Sequence, residues 1–179
     1  VGPFQRWSRK YKECYLIKNS DHIITVSDFS RNDLIKNFIF PEKRITFIYH
    51  GTSFDKFASE VNEVKTPYIF YPANPYPHKN HERLIEAFEK FKYTFPEIKG
   101  TLILSGNPTP SLLRRIAKSN AREFISHKGF VTQADLLELY QGCKALFFPS
   151  LFEGFGIPIV EAMKYKKPIF CSDLPVFRE

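Results

Sequence analysis

Cysteine is scarce in this chain of 179 residues, which contains only Cys14, Cys143 and Cys171. The three are widely separated, odd in number and form no Cys-x-x-Cys pair, so the sequence provides neither a disulfide framework nor a zinc site. We expect buried free thiols in a protein from a reducing compartment. There is also no signal-peptide pattern and no apolar run long enough to cross a bilayer, and a cytoplasmic location is therefore the simplest expectation.

Several patterns that would indicate other functions are missing as well. No Gly-x-Gly-x-x-Gly opens the first strand-helix unit, which disfavours an ordinary dinucleotide-binding enzyme. No block of consecutive basic residues supports nucleic acid binding. The histidines are scattered and lack the spacing of metal ligands: His22, His50, His78, His81 and His127. We therefore expect no metal, no cofactor and no nucleic acid partner.

Acidic residues are fewer than basic ones. The chain contains 26 Lys and Arg and 19 Asp and Glu, which gives a net charge of +7. This balance suits a partner that carries phosphate, or an anionic membrane surface. The alternative explanation of the positive charge is that acidic segments of a longer protein lie outside these 179 residues. Basic residues near the amino end are interleaved with aromatic residues and either face a membrane or form a solvated helix face: Arg6, Arg9, Lys10, Lys12 and Lys18.

Strand-like and helix-like segments alternate along the chain, which is typical of a parallel sheet wrapped by helices. Strands are predicted at Ile23–Val26, Ile45–Tyr49, Tyr68–Tyr71, Thr101–Leu104, Phe124–Ser126, Ala145–Phe148 and Ile169–Cys171. The spacing of apolar residues predicts helices around residues 34–38 and 84–91. A third helix begins at Thr132, which Asp135 helps to cap, and its apolar stripe, including Tyr140, is predicted to lie in the core.

A polar interval from Thr52 to Thr66 separates two apparent units. We interpret residues 1–51 as the tail of one domain, 52–66 as an interdomain connection and 67–179 as a second domain. The chain stops at Phe177-Arg178-Glu179, where a helix has only begun. We therefore expect a fragment of a longer protein.

The segment from Ser150 to Glu161 is the strongest candidate for a ligand site. It places Glu153 and Glu161 around a Gly-x-Gly turn, directly after the apolar run at 145–148. That run predicts a buried parallel strand, and Pro158 suits the first turn of a helix. Open α/β sheets bind ligands at the carboxyl ends of their strands, where glycines permit close approach and helix amides receive negative oxygens.

Lys79 ends a second candidate loop, which follows the strand at 68–71 and contains three prolines. The prolines stiffen the loop, so less entropy is lost on binding, and a lysine at its end supplies a point charge to a diphosphate. The alternative is a lysine at an exposed helix start, where it opposes the helix dipole. That unfavourable placement favours a functional role.

These segments resemble the retaining glycosyltransferases of family 4, whose Glu-x7-Glu signature matches Glu153 and Glu161 and whose architecture is the two-domain GT-B fold. Other segments agree in order: Ile24-Thr25-Val26-Ser27 with Ser30-Arg31, His50-Gly51-Thr52, Lys79-Asn80, Leu104-Ser105-Gly106-Asn107 and Gly129-Phe130-Val131. The resemblance implies an α/β fold, a Rossmann-like parallel sheet with helices on both faces. Residues 67–179 would be the carboxyl-terminal donor domain, truncated at its end, and residues 1–51 the tail of the amino-terminal acceptor domain.

The resemblance also implies a reaction, the transfer of a hexose from a UDP- or GDP-sugar to a hydroxyl acceptor with retention, in polysaccharide or glycoconjugate synthesis. The acceptor would be a glycan or a lipid-linked glycan, with peripheral contact to an anionic membrane through the missing domain. This fragment alone would bind the donor weakly and catalyse little. No metal is required, because Lys79 and helix-end amides stabilise the departing nucleoside diphosphate, and the chain has no Asp-x-Asp motif.

The same resemblance assigns roles to individual residues. Lys79 would bind the donor diphosphate, Glu153 hydroxyls of the donor sugar near the reacting carbon, and Glu161 the ribose. The other expected donor-binding residues are Gly154, Phe155, Gly156, Ile157, Ser105, Gly106, Asn107, Phe130 and Val131. The two glutamates are not a glycosidase pair, since one lies in a loop and the other follows on a helix.

One position departs from the family pattern. An arginine in a Gly-Arg pair usually precedes the lysine by about six residues, and this chain has Pro72-Ala73 there. Arg31, Arg83 or a residue of the absent domain would then supply the second cation. The departure leaves open an alternative function, a non-catalytic GT-B-like module that binds nucleotide sugars or acts as a scaffold.

Overall fold

The structure is a computed structural model that describes Tyr15, Ile17 and residues 19–38, 40–52 and 66–179. Cys14, the basic residues near the amino end and most of the predicted connection lie outside the described residues. The chain divides into two compact units, Val1–Gly51 with Leu174–Glu179, and Thr52–Asp173.

Strands and helices alternate through the described ranges. The strands are β1 (Ile23–Thr25), β2 (Ile45–Phe47), β3 (Tyr68–Pro72), β4 (Thr101–Ser105), β5 (Ile125–His127), β6 (Ala145–Phe148) and β7 (Ile169–Cys171). The α-helices are α1 (Asp28–Phe38), α2 (His81–Thr94), α3 (Pro110–Ala117), α4 (Gln133–Gly142), α5 (Ile157–Lys164) and α6 (Pro175–Arg178). Single turns of 3-10 helix lie at Glu42–Arg44, Pro77–Lys79 and Arg122–Phe124.

The first unit is built on β1 and β2, which pair in parallel with Ile23 opposite Ile45. The end of the chain joins this unit at the start of α1. The Glu179 carboxylate accepts hydrogen bonds from the backbone amides of Asp28 at 3.0 Å and Phe29 at 2.6 Å. A carboxylate at a helix amino end satisfies free amides and complements the helix dipole. This contact explains why residues 174–179 group with the first unit, although the sequence predicts that they belong to the second domain.

The described part of the second unit contains a parallel sheet in the order β5-β4-β3-β6-β7. The chain builds outward from β3 through β4 to β5, and then returns to the other side of β3 with β6 and β7. Neighbouring strands β3 and β6 therefore have connections that leave in opposite directions. Such a switch point opens a crevice at the carboxyl ends of the strands, which is where open α/β sheets bind ligands.

Helices cover both faces of this sheet, as β3 shows. Successive side chains of a strand point to opposite faces, and neither Phe70 nor Tyr71 is exposed. The Phe70 ring packs edge-on against Tyr140 of α4, with 5.2 Å between ring centroids, and Tyr71 packs against His81 of α2 at 4.8 Å. The predicted fold class, a Rossmann-like parallel sheet with helices on both faces, is confirmed.

Every predicted strand forms, with ends shifted by at most two residues. The predicted cap of the third helix also forms, since the Thr132 hydroxyl accepts the Asp135 amide at 3.2 Å and the Asp135 carboxylate accepts the Thr132 amide at 3.3 Å. Helix α3 was not predicted. Its signals are present in the sequence, since Leu112, Leu113 and Ile116 have helical spacing. Thr109 caps the helix, because its hydroxyl accepts the Leu112 amide at 3.3 Å.

The cysteines differ from one another in exposure. Cys143 is buried as predicted, and burial raises the pKa of its thiol to about 11. Cys171 is exposed, so the prediction that it is buried is wrong. It lies at the end of β7, which is the last strand on its side of the described sheet and leaves its outer residues open to solvent.

Candidate functional site

Lys79 and Glu153 meet at the switch point between β3 and β6. Lys79 ends the 3-10 turn after β3, and Glu153 lies in the loop after β6. The Lys79 Nζ atom lies 2.5 Å from the Glu153 Oε1 atom, although the two residues are 74 positions apart in the sequence. Both side chains are largely buried, with 18% and 11% of their surface exposed, and the ammonium also lies 5.3 Å from the centre of the Phe148 ring. The structure thus brings two predicted site residues into direct contact.

Hydrogen bonds hold the two loops of this pair against each other. The Leu151 amide donates to the His78 carbonyl oxygen at 2.7 Å, and the Asn80 side-chain amide donates to the Pro149 carbonyl oxygen at 3.0 Å. The buried Tyr71 hydroxyl donates to the Lys79 carbonyl oxygen at 2.6 Å. The backbone around Lys79 is therefore fixed on both sides, while its side chain is held by one ion pair.

The start of α5 supplies backbone amides beside Glu153. Gly156 caps this helix with a φ of 103°, a left-handed conformation that favours glycine, and Pro158 occupies its first turn. Gly154 and Phe155 are half-buried, and Ile157, the first helical residue, is 41% exposed. A helix amino end with free amides attracts anionic oxygens. The predicted strand-to-helix turn is confirmed, and its role in binding stays a prediction.

Glu161 lies one turn into α5 and is half-buried. Its Oε2 atom accepts a hydrogen bond of 2.6 Å from the hydroxyl of Tyr140 in α4. Burial raises the pKa of the Glu161 carboxyl, and the hydrogen bond from Tyr140 opposes that increase. Glu161 and Glu153 both belong to the segment that follows β6 at the switch point.

Ser105, Gly106 and Asn107 follow β4 and form a second wall at the carboxyl edge of the sheet. Gly106 has a φ of 127°, and a Cβ atom there would lie 2.8 Å from the Ala73 carbonyl oxygen, so this turn requires glycine. The Asn74 side chain accepts the Asn107 amide at 2.8 Å. Ser105 itself is buried, and its carbonyl oxygen accepts the Ala73 amide at 3.0 Å.

Phe130 and Val131 lie on the loop after β5, at the same edge of the sheet. The Gly106 amide donates to the Gly129 carbonyl oxygen at 2.9 Å, which ties this loop to the β4 turn. Phe130 is 80% exposed and Val131 is half-buried. A large exposed aromatic residue beside a polar crevice is suited to contact a ligand.

The histidines that flank Lys79 differ in environment. His81 is buried, and its Nε2 atom donates to the Ala73 carbonyl oxygen at 3.1 Å. Burial lowers the pKa of His81 to about 4, so this ring is neutral at physiological pH. The His78 ring stacks parallel to the exposed ring of Tyr76, with 5.8 Å between centroids. His81 therefore supports the loop from its buried side, and His78 stacks on an exposed ring.

Sequence reasoning missed several residues that support the site. Asn74 and Asn80 hold neighbouring turns together, and Tyr71 and Tyr140 fix Lys79 and Glu161. The two asparagines carried a usable signal, since asparagine next to a strand end or a helix start favours turns and caps. The tyrosines carried none, because a buried tyrosine in a strand or an apolar stripe has the pattern of a core residue.

The proposed substitutes for the missing arginine have different environments. Ala73, which occupies its position, is buried beneath the β4 turn. Arg31 lies in the first unit and forms ion pairs with Asp28 and Glu42 there. Arg83 is exposed on α2.

Two features are absent from the described part of the chain. It contains no group of three or more His, Cys, Asp or Glu residues that could hold a metal ion. It also contains no helix with the length and apolar character needed to cross a membrane. The expectation of a reaction without a metal stays a prediction.

An apolar cavity of about 440 Å³ lies at the opposite, amino edge of the sheet. Its walls include Phe88 and Phe91 of α2 together with Phe147 and Phe170 of the sheet. No carboxylate lines it. A polar ligand requires convergent polar groups, so this cavity does not compete with the carboxyl edge as a candidate site.

Comparison with known proteins gives both a family and similar proteins. Residues 53–179 match the family described as Glycosyl transferases group 1. The O-antigen chain mannosyltransferase RfbU of Salmonella typhimurium is 29% identical over 91% of this chain and 45% of its own length. The O-antigen chain mannosyltransferase B of Escherichia coli is 32% identical over 85% of this chain and 43% of its own length. The chain thus spans less than half of these curated relatives.

Solved structures share the fold. The crystal structure of Anabaena Alr3699/HepE in complex with UDP and glucose has a TM-score of 0.75, with 18% identity, over 91% of this chain and 47% of its own. Sucrose-phosphate synthase from Thermosynechococcus elongatus has a TM-score of 0.76, with 20% identity, over 93% of this chain and 44% of its own. At these identities the likeness concerns the fold alone.

The matched family segment contains Lys79, Glu153 and Glu161, and the resemblance to GT-B glycosyltransferases is confirmed. The assignment to family 4 and the roles of individual residues stay predictions. The alternation of strands and helices, the carboxyl-edge site and the family match agree, and this chain therefore belongs to the glycosyl transferases group 1 family.

Proposed function

We propose that this chain carries the nucleotide-sugar site of a retaining hexosyltransferase of family 4. The observation that carries the proposal is the Lys79–Glu153 ion pair at the switch point of the sheet. It puts a cation and a carboxylate where open α/β sheets bind ligands, beside the amides that begin α5. A nucleotide sugar needs these groups, since its diphosphate is anionic and its sugar presents hydroxyls.

When the donor binds, the contact between Lys79 and Glu153 would be replaced by contacts with the diphosphate and the sugar of the donor. The Lys79 ammonium would turn to the diphosphate, and Glu153 would accept hydrogen bonds from hydroxyls of the sugar. During transfer the bond from the anomeric carbon to the diphosphate oxygen breaks, a bond to the acceptor oxygen forms, and the proton of the acceptor hydroxyl passes to the departing diphosphate. Lys79 and the α5 amides would stabilise the negative charge that develops on the departing nucleoside diphosphate.

The remaining site residues would hold the nucleoside. Glu161 would accept hydrogen bonds from the ribose hydroxyls, and the turns at Ser105–Asn107 and Phe130–Val131 would form the walls of the nucleoside pocket. The fixed geometry of these turns supports this role, because the required glycine at position 106 keeps the strand ends close. A preformed pocket loses less entropy when it binds.

The names of the relatives guide the choice of substrates. Two are O-antigen chain mannosyltransferases, and one solved neighbour is described with UDP and glucose. They support a role in polysaccharide synthesis, with a glycan or lipid-linked glycan as acceptor, and both UDP- and GDP-sugars as donors to test. We place the reaction in the cytoplasm, where the net charge of +7 suits peripheral contact with an anionic membrane. Residues 1–51 would belong to the acceptor domain.

The test is a titration of the chain with UDP-, GDP- and ADP-sugars, free nucleotides and NAD, by calorimetry or ligand-observed NMR. We expect binding of one class of nucleotide sugar and none of NAD. Preference for NAD, or no binding of any nucleotide by the folded chain, would contradict the proposal.

A second function, a nucleotide-sugar-binding module without catalysis, is favoured by one observation. Ala73 stands where related enzymes carry an arginine, and it is buried. The two functions separate in an assay of the whole protein with the donor found in the titration. Release of nucleoside diphosphate that depends on an acceptor supports the enzyme, and donor binding without turnover supports the module.

A further inference from the structure

Tyr140 has a feature that a core tyrosine does not need, a hydroxyl directed at the Glu161 carboxylate. The distance from this hydroxyl to the Glu161 Oε2 atom is 2.6 Å. The Tyr140 side chain is fully buried, and its ring packs edge-on against Phe70 and parallel to Tyr165, with 5.2 and 6.3 Å between centroids. The Tyr140 ring is therefore held by two aromatic neighbours, and its hydroxyl has little freedom to move.

The hydrogen bond occupies one of the two carboxylate oxygens of Glu161. The other, Oε1, makes no hydrogen bond to any described residue. A carboxylate held through one oxygen is restricted in its rotation, so the directions from which its second oxygen can accept hydrogen bonds are restricted as well. Two neighbouring ribose hydroxyls need such a fixed acceptor, because small rotations of the carboxylate would lose one of the two bonds.

The pKa shifts of Tyr140 and Glu161 agree with a hydrogen bond from a protonated phenol to an ionised carboxylate. Burial raises the pKa of the Tyr140 phenol well above its ordinary value, so the hydroxyl keeps its proton and acts as a donor. Burial also raises the pKa of Glu161, and the hydrogen bond from Tyr140 favours the ionised carboxylate. Tyr140 thus stabilises the form of Glu161 that accepts hydrogen bonds.

We propose that Tyr140 is a positioning residue that fixes the Glu161 carboxylate for the ribose hydroxyls of a nucleoside diphosphate. The inference rests on the proposed function, in which Glu161 binds the ribose. Tyr140 itself does not touch the nucleotide, and it acts through Glu161.

The test compares Tyr140→Phe with Tyr68→Phe. Tyr68 is a matched control, since it is also buried and its hydroxyl donates to a backbone carbonyl, that of Leu139, at 2.9 Å. The probes are UDP and GDP and their 2′,3′-dideoxyribose counterparts. We expect Tyr140→Phe to weaken binding of the ribonucleotide about tenfold and to leave the dideoxy form unchanged. Tyr68→Phe should change neither affinity.

A merely structural role for Tyr140 predicts another pattern. Tyr140→Phe would then weaken both nucleotides equally, and this result would overturn the proposal. Thermal unfolding of the two phenylalanine variants checks that each is folded. The dideoxy penalty is the factor by which a variant binds the dideoxy form more weakly than the ribonucleotide. If Tyr140→Phe does not fold, this penalty is measured in Glu161→Ala and Tyr140→Leu. The proposal is contradicted if both variants keep the penalty of the parent chain, and it is supported if both lose it.

A double variant separates this inference from the proposed function. In a Glu161→Ala background, Tyr140→Phe should have no further effect on ribonucleotide binding, because its partner is already absent. If Glu161→Ala still distinguishes ribose from dideoxyribose, the ribose role of Glu161 is wrong. If Glu161→Ala loses that distinction and Tyr140→Phe keeps it, the positioning role alone is wrong.

Discussion

Two ion pairs of the second unit use the same kinds of group in different geometries. Lys79 meets Glu153 through one contact of 2.5 Å at the carboxyl edge of the sheet. Arg115 of α3 donates two hydrogen bonds to Glu89 of α2, at 2.9 and 2.8 Å, and a third to Glu82, at 2.5 Å. The first pair joins two loops, and the second joins two helices.

The difference indicates which pair is available to a ligand. The planar guanidinium of Arg115 forms two parallel hydrogen bonds with the Glu89 carboxylate and a third with Glu82. These contacts hold the pKa of Glu89 at about 2. Lys79 is a point charge on a flexible stem, so its ammonium can turn from Glu153 to another anion without moving the backbone. Geometry therefore separates a structural clamp from an exchangeable pair, although both are partly buried.

The largest expected effect comes from Lys79→Ala. We expect donor affinity to fall about a hundredfold, or about 2.7 kcal/mol, because a charge-assisted contact to the diphosphate is lost. The free energy of unfolding should fall as well, because the largely buried Glu153 carboxylate loses its cation. Calorimetric titration with the nucleotide sugar that binds the parent chain measures the first quantity. Unchanged affinity would remove Lys79 from the donor site.

Arg115→Ala is the matched cation deletion in the structural clamp. We expect the free energy of unfolding to fall by about 2 kcal/mol, since α2 and α3 lose their link and two carboxylates are left together. Urea denaturation measures this change. Donor affinity should stay at the parent value. A loss of affinity comparable to that of Lys79→Ala would abolish the distinction between the two pairs.

Glu153→Gln sharpens the comparison on the acidic side. We expect binding of the nucleotide sugar to weaken about tenfold, because a neutral amide accepts weaker hydrogen bonds from sugar hydroxyls. Binding of the free nucleoside diphosphate should not weaken. Competition NMR with both ligands tests this, and an equal loss for the two ligands would mean that Glu153 does not contact the sugar.

The smallest expected effect is the acid dependence of stability from Glu89. Its folded-state pKa of about 2 lies below its ordinary value of 4.5. The contribution is therefore fully present above about pH 4.5 and is lost as the pH falls toward 2. Urea midpoints between pH 6 and 2.5 should fall less in Arg115→Ala than in the parent chain. Parallel curves would show that the clamp does not stabilise ionised Glu89.

Local patterns predicted most of the fold. The strands and the Thr132–Asp135 cap were recognisable because alternation and capping depend on residues close in sequence. The helix at Pro110–Ala117 was missed, although its Thr109 cap and the helical spacing of its apolar residues are local patterns of the same kind. The exposure of Cys171 was missed because a strand at the end of the sheet has the same local pattern as a central one.

The candidate site was predicted residue by residue but not as an arrangement. Lys79 and Glu153 were each identified from their own loops, and their contact depends on β3 lying next to β6, which no local pattern contains. Tyr140 had the pattern of a core residue, and its hydrogen bond to Glu161 depends on how the fold brings α4 and α5 together.

The sequence by itself determined the order of strands and helices, the family and the residues able to carry chemistry, because these depend on short segments and their order. Only the tertiary structure decided which of those residues meet. The Lys79–Glu153 pair, the Tyr140–Glu161 hydrogen bond and the contact of Glu179 with α1 join residues far apart in the chain. Such contacts follow from the order of strands in the sheet and the packing of helices on it, which a linear pattern does not specify.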